Sequence, residues 1–311
     1  MSDWQTRFGA PPRYAGVATF ARLPAVGTPD GLDVAVFGVP YDSATTFRTG
    51  ARRAPAAIRA VSGLLREYHP WWKISPFEAL CVGDLGDVPV VPAYVEETQR
   101  VIQNWATGVM DAGAFPMAMG GDHSVTLPLL RAAAARHGRV SLLQFDSHPD
   151  TWPSQHGQPY GHGTPIRRAA DVGLIDFSAS VQVGIRGSVD AASDLDDARA
   201  LGLRLIPMDE ASESGTAGVV SVIRETLRGP VYVTLDIDAA DPSCAPGTGT
   251  PEVGGFSARE MLQLVRGLRG LPIVGFDVVE VCPAHDAGEI TALLAANVMY
   301  EMICLLACRR S

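Results

Sequence analysis

Carboxylates and imidazoles recur in this chain at short, regular spacings. Asp146-Ser147-His148-Pro149-Asp150 alternates three side chains able to bind a cation, and Asp236-Ile237-Asp238 alternates two. In an extended segment such alternation puts the side chains on one side. Each string follows a short apolar run: Leu142-Leu143-Gln144-Phe145 precedes the first and Tyr232-Val233-Thr234-Leu235 the second. Two further runs end alike, Phe115–Met119 in Gly120-Gly121-Asp122-His123-Ser124, and Phe276-Asp277-Val278-Val279 in Glu280. One such string alone is ordinary content for a turn or a helix cap. Several carboxylates gathered in one place repel unless a cation neutralises them. His123, Asp146, His148, Asp150, Asp236 and Asp238 form a hard oxygen-and-nitrogen donor set. Six donors exceed what one ion with an open water position needs, so two divalent ions sharing carboxylates fit better. Ions about 3.5–4 Å apart can hold a bridging water and lower its pKa towards neutrality. That supplies hydroxide without a Ser or Cys nucleophile, and suggests hydrolysis of an unreactive electrophile.

These residues need a scaffold that collects strand ends. Apolar runs suited to strands occupy 33–38, 115–120, 140–145, 181–185, 203–207, 231–235 and 273–279. Helical patterns lie between them at 94–112, 126–137, 216–228, 257–267 and 289–308. Most strand runs are continuously apolar, the mark of a sheet covered on both faces. Strands alternating with helices predict a three-layer α/β/α sandwich around a central, mainly parallel sheet. Ligands in such sheets sit beyond the carboxyl ends of the strands, where the acidic strings fall. Ser257 before Glu260 predicts a capping box. Asp277, three residues before Glu280, falls on the opposite strand face and reads as structural.

The composition narrows the class. The chain has 311 residues, 47% hydrophobic and 19% charged, as in globular proteins. A net charge of −9 argues against nucleic acid as a partner. Cys81, Cys244, Cys282, Cys304 and Cys308 form no CxxC pair and read as free thiols of a reducing compartment. No basic segment leading into an apolar stretch opens the chain, so the expected location is cytoplasmic. Residues 290–308 are apolar and long enough to span a bilayer. Asn297 and Glu301 interrupt them, so a core-facing helix is expected and no membrane partner, with Arg309 and Arg310 suiting the negative end of its dipole. No linker or repeat divides residues 1–311, which read as one domain with an N-terminal extension of about 30 residues.

The motifs resemble the ureohydrolase family, which includes arginase, agmatinase and related amidinohydrolases. The resemblance starts at Arg13-Tyr14-Ala15-Gly16 and Thr19-Phe20-Ala21-Arg22-Leu23-Pro24, and runs through Gly38 to Asp42 and Phe47 to Arg52. It takes in the acidic strings, His162-Gly163-Thr164-Pro165, Asp241-Pro242 and Glu280. It implies the same three-layer fold and two Mn²⁺ ions per chain, with Ni²⁺ as the other possibility. One ion would take His123, Asp146, Asp150 and Asp236, and the other His148, Asp146, Asp236 and Asp238. His162 would shuttle protons, Glu280 would receive the guanidinium, and Asp150 or His162 would pass a proton to the leaving amine. Urea and an amine would be released. Ser147 stands where the family usually has Ala, and strand alternation points it away from the ions. The resemblance also suggests a homo-oligomer, a trimer or hexamer.

The substrate is less constrained. Arginases carry Asn two residues after the last Asp of the D-x-H-x-D string, and this chain has Trp152. An indole does not read an α-amino acid end as Asn does, which tilts the expectation to an agmatinase-like enzyme. Guanidinobutyrase, guanidinopropionase and proclavaminate amidinohydrolase share the same motifs and keep a guanidino-acid hydrolase as an alternative. Residues 151–161 and Tyr68-His69-Pro70-Trp71-Trp72 are candidates for specificity. Trp152 and Tyr160 closing the mouth with Trp71 or Trp72 would favour a small or alkylated guanidine; otherwise Trp71 and Trp72 are packing residues. His137 and His156 read as surface imidazoles. A non-catalytic partner subunit would show lost ligands, and none is lost.

Overall fold

The apolar runs form strands whose side chains alternate between two covered faces. The computed structural model describes residues 12–309. Its strands are β1 (Val34–Gly38), β2 (Val82–Asp87), β3 (Phe115–Met119), β4 (Ser141–Phe145), β5 (Val181–Ile185), β6 (Arg204–Pro207), β7 (Val231–Asp236) and β8 (Ile273–Val279). They make one sheet in the order β2-β1-β3-β8-β7-β4-β5-β6. Every neighbouring pair is parallel. In β1, Val34 and Val36 enter one apolar layer while Ala35 and Phe37 enter the other. The first layer packs under α1 (Ala54–Ser62), α7 (Met208–Thr226), α8 (Ala258–Gly267) and α9 (Ile290–Ala307). The second packs under α3 (Val95–Asp111), α4 (Thr126–His137), α5 (Pro165–Asp171) and α6 (Ser193–Ala200). A short α2 (Pro76–Ala79) leads into β2. The expected three-layer sandwich is therefore present.

The differences from expectation are local. No strand is expected at β2 because Val82-Gly83-Asp84-Leu85-Gly86-Asp87 has turn composition; at the sheet edge it pairs with β1, and on its other side only Asp84 bridges, to Ala25, among the described residues. α7 starts eight residues before the expected helix because its chain bends at Gly215 (φ 65°), where the helical pattern breaks. The Ser257 capping box is formed, Glu260 N–H reaching Ser257 Oγ and Ser257 N–H reaching Glu260 Oε2 at 2.8 Å. α9 is long and apolar enough to cross a membrane, but lies buried within the fold. Its buried Glu301 accepts hydrogen bonds from Trp72 Nε1 and Arg266 and meets His69 Nε2 at 3.1 Å. Arg309, just past the end of α9, donates to the carbonyls of Leu271 and Ile273, whose chain runs beside it. Arg310 lies outside the described residues.

Candidate metal centre and active site

The carboxyl ends of β3, β4, β7 and β8 bring the acidic strings together. Asp122 accepts from Ser124 N–H and so turns the chain after β3, presenting His123. Asp236 does the same for Asp238 N–H at 2.9 Å after β7. Asp150 and Glu280 adopt φ of 53° and 62°, uncommon for non-glycine residues and characteristic of functional sites.

Two groups of donors result, each with its atoms within 4.8 Å of one another: His123, Asp146 and Asp236, and Asp146, His148 and Asp238. His123 Nδ1 lies 2.8 Å from Asp150 Oδ2, 3.1 Å from Asp146 Oδ2 and 3.3 Å from Asp236 Oδ2. It makes no hydrogen bond although fully buried. Asp238 Oδ2 is likewise buried without a hydrogen bond, 3.1 Å from His148 Nδ1. Converging donors that do not satisfy one another fit a bound cation.

The electrostatics agree. Burial, then the neighbouring charge of Asp146, raises Asp150 to about 6. Burial, then Asp238 and Asp146, pushes Asp236 well above the usual carboxylate range. Burial alone would lower His123 and His148, yet the adjoining carboxylates hold both imidazoles well above their ordinary value. Without cations, protons must relieve the crowding.

The residues around the donors are held in turn. Gln144 Nε2 donates to Asp146 Oδ2 at 2.6 Å, and Gln182 Nε2 donates to Gln144 Oε1 at 2.7 Å. Ser147 does not point away. Its hydroxyl donates to Asp238 Oδ1 at 2.7 Å and its N–H to the same oxygen at 3.0 Å, because the chain has left β4 and strand alternation no longer applies. Asp277 is also tied to the centre: it accepts from Thr234 Oγ1 at 2.6 Å, and Thr234 Oγ1 lies 2.9 Å from His123 Nε2. Asp277, read as structural, does support the centre; Gln144 and Thr234 escaped the sequence reading. Their signal was a polar residue inside an otherwise apolar, doubly covered strand.

A cavity of about 360 Å³ opens over the centre, lined among others by Thr46, His123, His148, Asp150, Trp152, Gln155, His156, His162 and Asp190. Trp152 lines it, its ring 6.5 Å from that of His148 and its indole N–H donating to Asp194 Oδ2 at 3.0 Å. Tyr160 does not; it packs against the second apolar layer and borders a neighbouring cavity. Trp72 is buried beside α9 with its indole N–H on Glu301, while Trp71 stacks edge to face on it and stays exposed beneath Arg266, so neither reaches the cavity. The expected closure by these aromatics is therefore not built. His156, read as a surface imidazole, is exposed but borders the mouth. With Gly157 it forms a two-residue turn between Gln155 and Gln158, both central residues at positive φ.

His162 Nδ1 meets Glu280 Oε1 at 2.9 Å, while Thr46 N–H donates to its Nε2 at 3.2 Å. Burial opposes a charge on this imidazole, but Glu280 outweighs it and holds the pKa at about 9. The ring thus keeps its proton near neutral pH, with Nδ1 facing Glu280 and Nε2 lying 2.7 Å from Thr46 Oγ1. Glu280 is buried and not among the lining residues; its Oε1 also accepts His123 N–H at 2.8 Å, and its Oε2 has no hydrogen-bond partner. Gly249 stands beside Oε2, where a Cβ would come within 3.4 Å.

Comparison with known proteins accords with this geometry. Residues 32–304 match the arginase family. Guanidinopropionase of Pseudomonas aeruginosa is 47% identical over 95% of this chain and 93% of its own. Mitochondrial agmatinase of Gallus gallus is 42% identical over 97% of this chain and 91% of its own. The solved proclavaminate amidinohydrolase of Streptomyces clavuligerus superposes with a TM-score of 0.92 at 42% identity, over 96% of this chain and 99% of the other. The fold, the gathered donors and these likenesses together establish that the chain belongs to the arginase family.

Proposed function

We propose that this chain, acting as one ureohydrolase domain, hydrolyses the C–N bond of a linear guanidino compound, releasing urea and an amine, with agmatine as the substrate type. The observation that carries the chemistry is the pair of donor groups with the unsatisfied His123 Nδ1 and Asp238 Oδ2 between them. In this reading His123, Asp146, Asp150 and Asp236 hold one ion, and His148, Asp146, Asp236 and Asp238 the other. Mn²⁺ suits this hard donor set, and Ni²⁺ suits its imidazoles. When bound, the two ions neutralise the crowded carboxylates and acidify a water to serve as nucleophile. Glu280 offers its free Oε2 to the guanidinium, a planar cation with donors matched to a carboxylate. His162, held by Glu280 and Thr46, takes up and returns protons at Nε2, and Asp150, which lines the same cavity, shares in that transfer.

The rest of the cavity favours a positively charged far end. Its lining includes the carboxylate of Asp190 and no Lys or Arg. Gln155 is already committed, its Oε1 accepting Gly163 N–H at 2.8 Å. A guanidino acid is the second reading, favoured by His156 at the mouth as a partner for a carboxylate. Urea release from agmatine, 3-guanidinopropionate, 4-guanidinobutyrate, arginine and guanidine by the metal-loaded protein decides between them. Agmatine leading by about tenfold or more, roughly 1.4 kcal/mol, supports the first reading. A guanidino acid leading by that margin overturns it. We place the enzyme in the cytoplasm as a trimer or hexamer; exposed Tyr14, Val17 and Leu64 support self-association, and light scattering tests it.

A further inference from the structure

Five buried residues behind the centre form a directed hydrogen-bond chain. Tyr232 OH donates to Asp277 Oδ2 at 2.7 Å, and Thr234 Oγ1 donates to Asp277 Oδ1 at 2.6 Å. Thr126 Oγ1 adds a longer bond to the same Oδ1 at 3.2 Å. Thr234 Oγ1 then meets His123 Nε2 at 2.9 Å. Tyr232, Thr234, Asp277, Thr126 and His123 are each no more than 1% exposed, so solvent does not compete.

The count of hydrogens fixes the direction. A carboxylate only accepts, and a threonine hydroxyl has one proton to give. Thr234 gives it to Asp277, so its oxygen must accept from His123. His123 therefore carries its proton on Nε2, which leaves the Nδ1 lone pair facing Asp146, Asp150 and Asp236.

The sheet is shaped to hold this chain. β7 and β8 are in parallel register with Thr234 beside Asp277, and Tyr232 lies beside Gly275. A Cβ at Gly275 would come within 2.6 Å of the Tyr232 ring, so the glycine leaves the ring room to reach along to Asp277. Tyr-x-Thr on one strand and Gly-x-Asp on the next thus build one supporting layer under one imidazole. Among the described residues His148 has no such strand-borne support: its Nδ1 lies near Ser147 Oγ, Asp238 and Asp146.

We infer that Thr234 and Asp277 are positioning residues for His123, fixing its tautomer and ring orientation so that Nδ1 is presented to one of the two ions. This rests on the reading of the His123 group as an ion site. Outer partners of ligating imidazoles characteristically set metal affinity by about 10- to 100-fold.

The test uses the full chain and Mn²⁺ alone as probe, titrated by calorimetry with bound ions counted by elemental analysis. Thr234→Val is close in shape and removes the hydroxyl; Thr234→Ser keeps it. The inference expects Thr234→Val to bind one of its two ions at least about tenfold more weakly, the other ion within about twofold, and Thr234→Ser to restore wild-type binding. Asp277→Asn, which keeps the size of the group, should weaken the same ion. Should Thr234→Val fail to fold, the Ser and Asn variants carry the test. Wild-type affinities for both ions in Thr234→Val or Asp277→Asn, or equal weakening of both ions in a variant that unfolds at the wild-type temperature, would overturn it. Failure of the wild-type chain itself to bind Mn²⁺ would instead overturn the functional reading beneath it.

Discussion

The two halves of the metal centre are built by different means. The His123 half belongs to the sheet: the residue is buried, its backbone N–H donates to Glu280, its ring Nε2 meets Thr234, and three carboxylates face its Nδ1. The His148 half belongs to the loops. Its side chain is 19% exposed, leans towards the Trp152 ring and meets Ser147 Oγ at 3.1 Å. A donor locked by strands is fixed by the same packing that stabilises the fold. A donor carried by loops shares its segment with the residues that shape the cavity. Under the proposed function the chemistry is thus anchored on one side, and the far end of the substrate is read on the other.

Five substitutions would break or sharpen that contrast. Asp146 faces both imidazoles, so Asp146→Asn should be the most damaging, weakening both ions by more than about 100-fold by titration and abolishing urea release. Loss of one ion only would show that the halves do not share this carboxylate. Next come the imidazoles, compared by denaturant unfolding of the metal-free protein. His123→Ala opens a buried cavity and strands Thr234, so a loss of about 2–3 kcal/mol is expected. His148→Ala, partly open to solvent, should cost about 1 kcal/mol or less. Equal losses would erase the distinction between a sheet half and a loop half.

How far the sequence foretold this contrast depends on which half is considered. The ligand types, the strands that carry them and their gathering at one sheet end follow from alternation and apolar runs. Thr234 and Gln144 did not stand out, because a single polar residue within a buried strand has no periodic signature. Asp277 was assigned to the face away from Glu280, which holds along β8, but that same face carries it to Thr234. Ser147 differs for another reason: it lies two residues past the end of β4, where the chain bends and strand alternation no longer applies. The aromatic residues show the limit most plainly. Trp152 reaches the cavity, while Trp72 reaches Glu301, 229 positions away in sequence, a contact no local spacing encodes.

The loop half yields the two smaller predictions. Trp152→Ala removes apolar wall from the cavity, so KM should rise by about tenfold, roughly 1.4 kcal/mol, with less change in kcat. A fall confined to kcat would move Trp152 from reading the substrate to aligning the chemistry. Ser147→Ala removes one of two donors on Asp238 Oδ1 and leaves the backbone N–H in place. Affinity for one ion should then change by about threefold, within the range of a single hydrogen bond, as read by calorimetry.

The most direct test of the central claim is the number of Mn²⁺ ions held per chain, by elemental analysis of the loaded and desalted protein, with urea release measured on the same sample. Two ions per chain in wild-type protein that releases urea from a guanidino compound, both lost with Asp146→Asn, is the predicted result. A chain that retains no ion, or one that releases urea undiminished after Asp146→Asn, would contradict it.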